Sequence, residues 1–265
     1  MAEFTSAGTV DMSVALVGFD PAPGGPEATG TDLLEWDLDH PSTMIPEVTV
    51  FLGGSGFAYD PGTPGLPVAG TVTSMRIVLD RFSFSAPEAL LTGFALPLTE
   101  LLPGGTDGRF DAIGLFERVL TGADRLSLGD GSLGFGDALD LSGGTHVFGD
   151  DSLTLTGTDG TLYGDARVLR DGASGQGGAD VLEATGAADL ALRLIGDAMA
   201  LIGATMQGGD DRVLVSAGVG GTGFVQTLIV GDVQEVVGAS DLTGGNDTLT
   251  GAWALGDRIF GDAEL

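Results

Sequence analysis

The chain has 265 residues, of which 38 are acidic and 10 are basic, so its formal net charge is −28. All ten basic residues are Arg. A chain this acidic lacks the clustered cations with which proteins bind nucleic acids and anionic membrane surfaces, so both partner classes are excluded. The absence of cysteine excludes disulfides and thiolate metal sites. With 43% hydrophobic residues, the chain still has enough apolar side chains to bury a core.

A composition shift near residue 121 predicts two domains. Residues 1–120 contain 16 Gly and 9 Asp, whereas residues 121–265 contain 31 Gly and 19 Asp. All 11 Pro residues lie in the first part. We therefore predict a β-rich N-terminal domain or cap over 1–121 and a Gly/Asp-rich domain over 122–265.

The first domain reads as strands separated by turn clusters. Strands are predicted over 10–19, 34–39, 47–52 and 70–79, and residues 53–56, Gly-Gly-Ser-Gly, are predicted to form a turn. Residues 34–39 alternate apolar and acidic side chains, which is typical of a half-buried strand with one acidic face. Short helices are predicted over 87–91 and 111–120.

Two short units alternate through residues 122–265. Five copies of Gly-x-Asp-x-aliphatic are centred on Asp124, Asp151, Asp180, Asp211 and Asp247. Five copies of apolar-Gly-Asp-(Ala/Val) contain Asp137, Asp165, Asp197, Asp232 and Asp262. A pair of turns spans about 30 residues, and one such repeat cannot bury its apolar strand face alone. We therefore predict an all-β chain in which 122–265 forms a parallel β-solenoid.

The residue types in these units point to an oxygen-lined cation site. Gly permits a tight turn and leaves carbonyl oxygens exposed. Asp carries the shortest carboxylate, so its oxygen is expected to return to the same turn, while the aliphatic residue two places on faces the interior. Stacked turns of this kind suit Ca²⁺, whereas Mg²⁺ demands stricter geometry and resists dehydration. All ten repeat aspartates are therefore candidate calcium ligands, and the bound cations would offset part of the acidic charge.

The repeats resemble those of the RTX, or haemolysin-type calcium-binding, proteins, whose nonapeptide is G-G-x-G-x-D-x-U-x. The best match is Thr243 to Gly251, which keeps Gly-Asn-Asp-x-Leu-x-Gly, and residues 208–211 and 177–180 are degenerate copies. The resemblance implies a calcium-binding β-roll and type I secretion without an N-terminal signal peptide. Because no copy keeps the full nonapeptide, we expect a wider solenoid with fewer, unequal sites.

Three functional classes follow from these features. A secreted, calcium-binding structural or interaction protein, extracellular or at the cell surface, is the favoured prediction. A self-assembling homo-oligomer or filament is the alternative, since the ends of a solenoid can pair. An adhesin, or an ice- or glycan-binding module, would need a ladder of like residues, which the sequence does not present.

An enzyme is not predicted. His40 and His146 are expected to be structural, and Glu35, Asp37 and Asp39 to form a solvated strand face rather than a carboxylate pair. No stretch of the sequence is long and apolar enough for a membrane helix, so we expect no membrane insertion.

Overall fold

The computed structural model contains two compact units. It describes residues 1–6, 20–21, 27–28, 33–39, 47–59, 67–80, 88–101, 112–186, 191–217, 227–251 and 257–263. One unit comprises Met1 and the chain from Leu120 onward, and the other comprises Ala2 to Ser6 and the described residues between Asp20 and Val119. The boundary predicted at residue 121 lies two residues from this division.

The first unit is an antiparallel sheet. Its strands are β1 (Glu3–Ser6), β2 (Asp20–Pro21), β3 (Glu27–Ala28), β4 (Leu33–Asp39), β5 (Glu47–Tyr59), β6 (Pro67–Asp80) and β7 (Glu88–Pro97). The described strands follow the order β2-β4-β5-β6-β7-β1, with β3 also paired to β4. The predicted strands over 34–39, 47–52 and 70–79 are confirmed as β4, β5 and β6, whereas the strand predicted over 10–19 lies outside the described residues.

Two predictions for the first unit are wrong. Where a helix is expected over 87–91, residues 88–91 form the start of β7, whose pairing with β6 and β1 outweighs the local helical propensity, and residue 87 lies outside the described residues. The turn expected over 53–56 lies inside β5, where register shifts beside Gly53 and Ser55 absorb the glycines as β-bulges.

The helices of the first unit are short. They are α1 (Leu98–Leu101) and α2 (Ala112–Val119), and α2 confirms the helix predicted over 111–120. Phe116 of α2 is fully buried and packs edge-on against Phe4, with ring centroids 5.6 Å apart. In the described part of the chain, no helix is long and apolar enough to span a bilayer.

The second unit is a parallel β-solenoid, as predicted. Each complete coil contributes one strand to each of four sheets, A to D, in chain order. Sheet A contains β8 (Arg125–Leu128), β12 (Ser152–Thr156), β16 (Val181–Gly186), β20 (Arg212–Ala217) and β24 (Thr248–Thr250). Sheet B contains β9 (Ser132–Phe135), β13 (Asp159–Tyr163), β17 (Ala191–Ile195), β21 (Leu228–Val230) and β25 (Arg258–Phe260). Sheet C contains β10 (Ala138–Ser142), β14 (Ala166–Arg170), β18 (Ala198–Ile202) and β22 (Val233–Val237).

Sheet D completes the coil with β11 (Thr145–Val147), β15 (Ser174–Gln176), β19 (Thr205–Gln207) and β23 (Asp241–Thr243). Four coils are complete, and a fifth contributes β24, β25 and a bridge from Val233 to Ala263. Equivalent residues pair from coil to coil, so each repeat position forms a column with a spacing of about 4.8 Å.

The interior of the solenoid contains two apolar regions. Sheets C and D enclose one cluster, in which Leu169, Leu201 and Met206 are buried with Phe148. Sheet A buries the aliphatic residues that follow four of the five A-type repeat aspartates, and these are fully enclosed as predicted: Leu126, Leu153, Leu182 and Val213. The fifth, Leu249 in the last coil, is only partly buried. The aspartates lie at the two corners where these regions meet, before sheet A and before sheet C.

Candidate cation site: two facing columns of buried aspartate

The repeat aspartates form two columns inside the solenoid. The A column precedes sheet A and contains Asp124, Asp151, Asp180, Asp211 and Asp247. The C column precedes sheet C and contains Asp137, Asp165, Asp197, Asp232 and Asp262. Eight of these ten side chains are buried, each with 6% exposure or less, while Asp247 is half-buried and Asp262 is exposed. Ionisable side chains are seldom this enclosed unless something neutralises them.

In the A column, one carboxylate oxygen joins each coil to the next. The backbone N–H of Asp151 donates to Oδ1 of Asp180 at 2.7 Å, and that of Asp180 donates to Oδ1 of Asp211 at 2.7 Å. The same bond joins Asp124 to Asp151 at 2.6 Å and Asp211 to Asp247 at 2.9 Å. The expectation that the carboxylate returns to its own turn is therefore wrong, because the neighbouring coil, about 4.8 Å away, presents the free N–H.

The C column bonds across the interior to the turns that carry the A column. Oδ2 of Asp137 accepts from the backbone N–H of Gly149 at 2.9 Å, and Oδ1 of Asp232 accepts from that of Gly245 at 2.7 Å. Asp165 and Asp197 make the equivalent bonds to Gly178 and Gly209. The two columns consequently face each other across the interior, between the two apolar regions. We call this zone of contact between the A column and the C column the waist.

The close approach of the columns explains the glycines of both repeat units. A Cβ on Gly164 would overlap Oδ2 of Asp180 and the carbonyl oxygen of Gly196, so these two oxygens converge on the same point. The same overlap is found at Gly136, Gly196 and Gly231. In the turns before sheet A, a Cβ on Gly178, Gly209 or Gly245 would overlap the carbonyl oxygen of the equivalent glycine one coil earlier.

In three A-column carboxylates, the second oxygen has no hydrogen-bond donor among the described residues. Oδ2 is buried and accepts no hydrogen bond from the described residues in Asp151, Asp180 and Asp211. The same holds for Oδ2 of Asp165 and Asp232 in the C column. A buried acceptor without a donor costs about 1–3 kcal/mol, and more if it is charged. The waist therefore contains a row of oxygen atoms that need a proton or a cation.

Burial and mutual repulsion raise the pKa values of these groups. Burial, and then the charges of Asp137 and Asp124, raises the pKa of Asp151 to about 8, and burial with the charge of Asp197 raises that of Asp211 to about 9. Burial likewise raises the pKa of Asp137 to about 7, that of Asp197 to about 6 and that of Asp232 to about 8. It also raises the pKa values of Asp165 and Asp180 well above the ordinary range, and that of Asp247 to a smaller extent. Without a cation, part of the waist is protonated at neutral pH.

The donor set fits a hard divalent cation. Only oxygen atoms converge at the waist: carboxylates from both columns and the carbonyls of the C-column turns, such as Gly164 and Gly196. Oxygen-only sets of carboxylates and carbonyls suit Ca²⁺, which accepts irregular geometry, better than Mg²⁺, which retains water. No group of three or more acidic or histidine side chains within the described ranges is already arranged around one metal position. A cation here would depend on backbone carbonyls as well as carboxylates.

One signal in the sequence could have revealed the facing columns. The spacing from each C-column aspartate to the next A-column aspartate is nearly constant, at 14, 15, 14 and 15 residues. The spacing from each A-column aspartate to the following C-column aspartate varies from 13 to 21. A segment of fixed length between two aspartates is expected when its ends meet, which is the arrangement that sheets C and D adopt.

Other candidate residues have structural roles or lie elsewhere. His146 follows the turn at Gly143 and enters β11, where its Nε2 lies 2.8 Å from the Gly143 carbonyl and its ring stacks on Phe148. Glu35, Asp37 and Asp39 lie along β4. His40 lies outside the described residues.

Exposed aspartates form a separate set of bonds between coils. Asp150 accepts from the N–H of Ala179 at 2.9 Å, and Asp210 accepts from the N–H of Asn246 at 2.8 Å. They are matched controls for the buried columns, since each precedes an A-column aspartate in the chain.

Comparison with protein-family models, curated proteins and solved structures finds no match to this chain. Its function is therefore inferred from its own residues.

Proposed function

We propose that the protein is an extracellular structural or interaction protein whose solenoid binds Ca²⁺ between the two aspartate columns and folds as it does so. The observation that carries this proposal is a set of buried Oδ2 atoms that accept no hydrogen bond from the part of the chain that the structure describes, among them those of Asp180 and Asp211. Ten basic residues against 38 acidic ones leave the chain with few cations of its own. The resemblance of the repeats to RTX nonapeptides points to the same ion.

Binding and folding are coupled because the columns exist only when coils stack. In the unfolded chain, the aspartates are separated along the sequence and hydrated, and they offer no cage. A cation that binds only the folded state stabilises it by mass action, in proportion to the logarithm of its concentration. Calcium sites of extracellular modules commonly have dissociation constants of roughly 10⁻⁴–10⁻³ M, a range in which the solenoid would be only marginally stable at low calcium.

A pair of adjacent residues tests the proposal. In Asp211→Asn, a neutral amide replaces a carboxylate that is 2% exposed, whereas Asp210→Asn makes the same change at an exposed neighbour. Equilibrium dialysis against Ca²⁺, followed by metal analysis, should show several bound ions per wild-type chain. We expect Asp211→Asn to bind less calcium and Asp210→Asn to bind as much as the wild type. Equal loss in both variants, or no bound calcium in the wild type, would contradict the proposal.

A further inference from the structure

The aspartate columns are enclosed to different degrees along the solenoid. Asp165 and Asp197 of the C column are 0% exposed, and Asp180 and Asp211 of the A column are 1% and 2% exposed. In the last described coil, Asp247 is half-buried and Asp262 is exposed. The same pair of turns is therefore sealed in the middle of the solenoid and open to solvent beyond Asp232.

In the middle of the solenoid, the waist is enclosed by backbone and side-chain atoms of the neighbouring coils. The N–H of Asp151 is bonded to Oδ1 of Asp180, and the N–H of Gly178 is bonded to Oδ1 of Asp165, so the coils cannot separate without breaking these bonds. A Cβ on the glycines before sheet C would overlap oxygen atoms of the neighbouring turns, so these turns lie against one another. On its two remaining sides, the waist borders the apolar regions enclosed by sheets A and B and by sheets C and D.

We infer that this solenoid holds its cations in two exchange classes: ions between the Asp151 to Asp211 carboxylates are occluded, and an ion held by Asp247 and Asp262 is open to solvent. The inference rests on the proposed function, because it concerns the same aspartates. Occluded ions can leave only when neighbouring coils open, so their release follows local unfolding. An ion at the open end has a direct path to water and keeps water molecules among its ligands.

A chelator chase separates the two classes. The calcium-loaded 265-residue chain is freed of excess Ca²⁺ and mixed with excess EGTA, and the calcium retained by the protein is measured over time after rapid desalting. We expect a fast loss from the open end, followed by a phase on the order of 100-fold slower that tracks the loss of β-sheet circular dichroism, because release then requires coil opening. Asp247→Asn should remove the fast phase and leave the slow one.

Terbium provides a second measurement that does not depend on release rates. Tb³⁺ luminescence lifetimes in H₂O and D₂O count the water molecules on the bound ion. Ions in the occluded class should carry fewer waters than the ion that Asp247→Asn removes. Complete release of calcium from the still-folded chain within the desalting time, or uniformly hydrated Tb³⁺, overturns the inference alone. A chain that holds no calcium before EGTA is added overturns the proposed function and this inference with it.

Discussion

The described acidic side chains of the two units differ in burial. Among the described side chains, every buried carboxylate lies in the solenoid, and the buried residues of the antiparallel unit are apolar except for Ser6. The antiparallel unit can be stabilised by its core alone, through side chains such as Leu52 and Met75. The solenoid stacks carboxylates about 4.8 Å apart within its interior, so its stability depends on what neutralises them.

The difference arises because stacked repeats place equivalent turns next to one another. One Gly-Asp turn on a surface would be ordinary, because Gly and Asp favour turns. Parallel stacking places equivalent residues above one another, so an inward-facing aspartate in one coil implies a column of them. Two such columns that face each other at the waist place a double row of acidic groups inside the solenoid.

The largest expected effect comes from filling the waist of the solenoid. In Gly196→Ala, the new Cβ would overlap Oδ2 of Asp211 and the Gly231 carbonyl, and we expect a loss of about 3 kcal/mol, or roughly 10 °C in Tm. Gly261→Ala is the matched control, since Gly261 occupies the same place in its repeat and has no atom near the Cβ position. Thermal unfolding followed by circular dichroism measures both, and equal Tm values would contradict the waist geometry.

The pH dependence of Tm shows whether protons or cations neutralise the aspartate columns. Burial raises the pKa values of the column carboxyls, so the folded state binds protons more tightly than the unfolded state. Their stabilising contribution is complete below about pH 4 and is lost as the pH rises through the folded values, from about 6 for Asp197 to about 9 for Asp211. Without metal, we expect Tm at pH 8 to be lower than at pH 5 by on the order of 10 °C.

Saturating calcium should reverse this trend, because protons then compete with the cation for the same oxygens. Thermal melts at pH 5 and pH 8, in EGTA and in Ca²⁺, provide the four values needed. The same slope in both media would show that the cation does not bind the titrating groups.

Removing one buried charge should have opposite effects in the two media. In Asp211→Asn, the amide oxygen can still accept from the Asp180 N–H, while the charge at Oδ2 is lost. In EGTA at pH 8, we expect a Tm a few degrees above that of the wild type, because folding no longer requires a carboxyl with a folded pKa of about 9 to take up a proton. In Ca²⁺ we expect a Tm below that of the wild type, because a ligand is lost. Asp210→Asn alters an exposed contact between coils and should shift Tm only slightly and by the same amount in both media. A decrease in both media for Asp211→Asn would indicate a purely structural carboxylate.

The smallest expected effect is the response of the antiparallel unit to calcium. The chain has two tryptophans, Trp36 in β4 and Trp253, which lies outside the described residues. In a Trp253→Phe variant, the fluorescence of Trp36 reports the antiparallel unit, and its unfolding midpoint should be the same in EGTA and in Ca²⁺. If Ca²⁺ shifts the midpoint measured by Trp36 fluorescence as much as the midpoint measured by circular dichroism, the antiparallel unit depends on calcium as the solenoid does, which would contradict the expected difference between the units.

The solenoid could be predicted from the sequence because its determinants are periodic. The aliphatic residue two places after each A-column aspartate specifies the inward face, and Leu126, Leu153, Leu182 and Val213 are all fully buried. The meeting of the two columns was not predicted, because a repeat specifies what stacks along the axis but does not directly specify which corners of one coil meet. Prediction failed at residues 88–91 because the local sequence pattern favours a helix, whereas pairing with β6, which lies outside that local pattern, makes these residues a strand.

Whether Ca²⁺ neutralises the buried columns is tested by a calcium titration of the chelator-treated chain at neutral pH, followed by far-ultraviolet circular dichroism with Mg²⁺ as the control. If cations neutralise the buried columns, Ca²⁺ will produce a cooperative gain of β-sheet signal that Mg²⁺ does not reproduce at the same concentration. A chain that already has its full β-sheet signal in EGTA, and whose signal and Tm do not respond to Ca²⁺, would show that Ca²⁺ does not neutralise the buried columns.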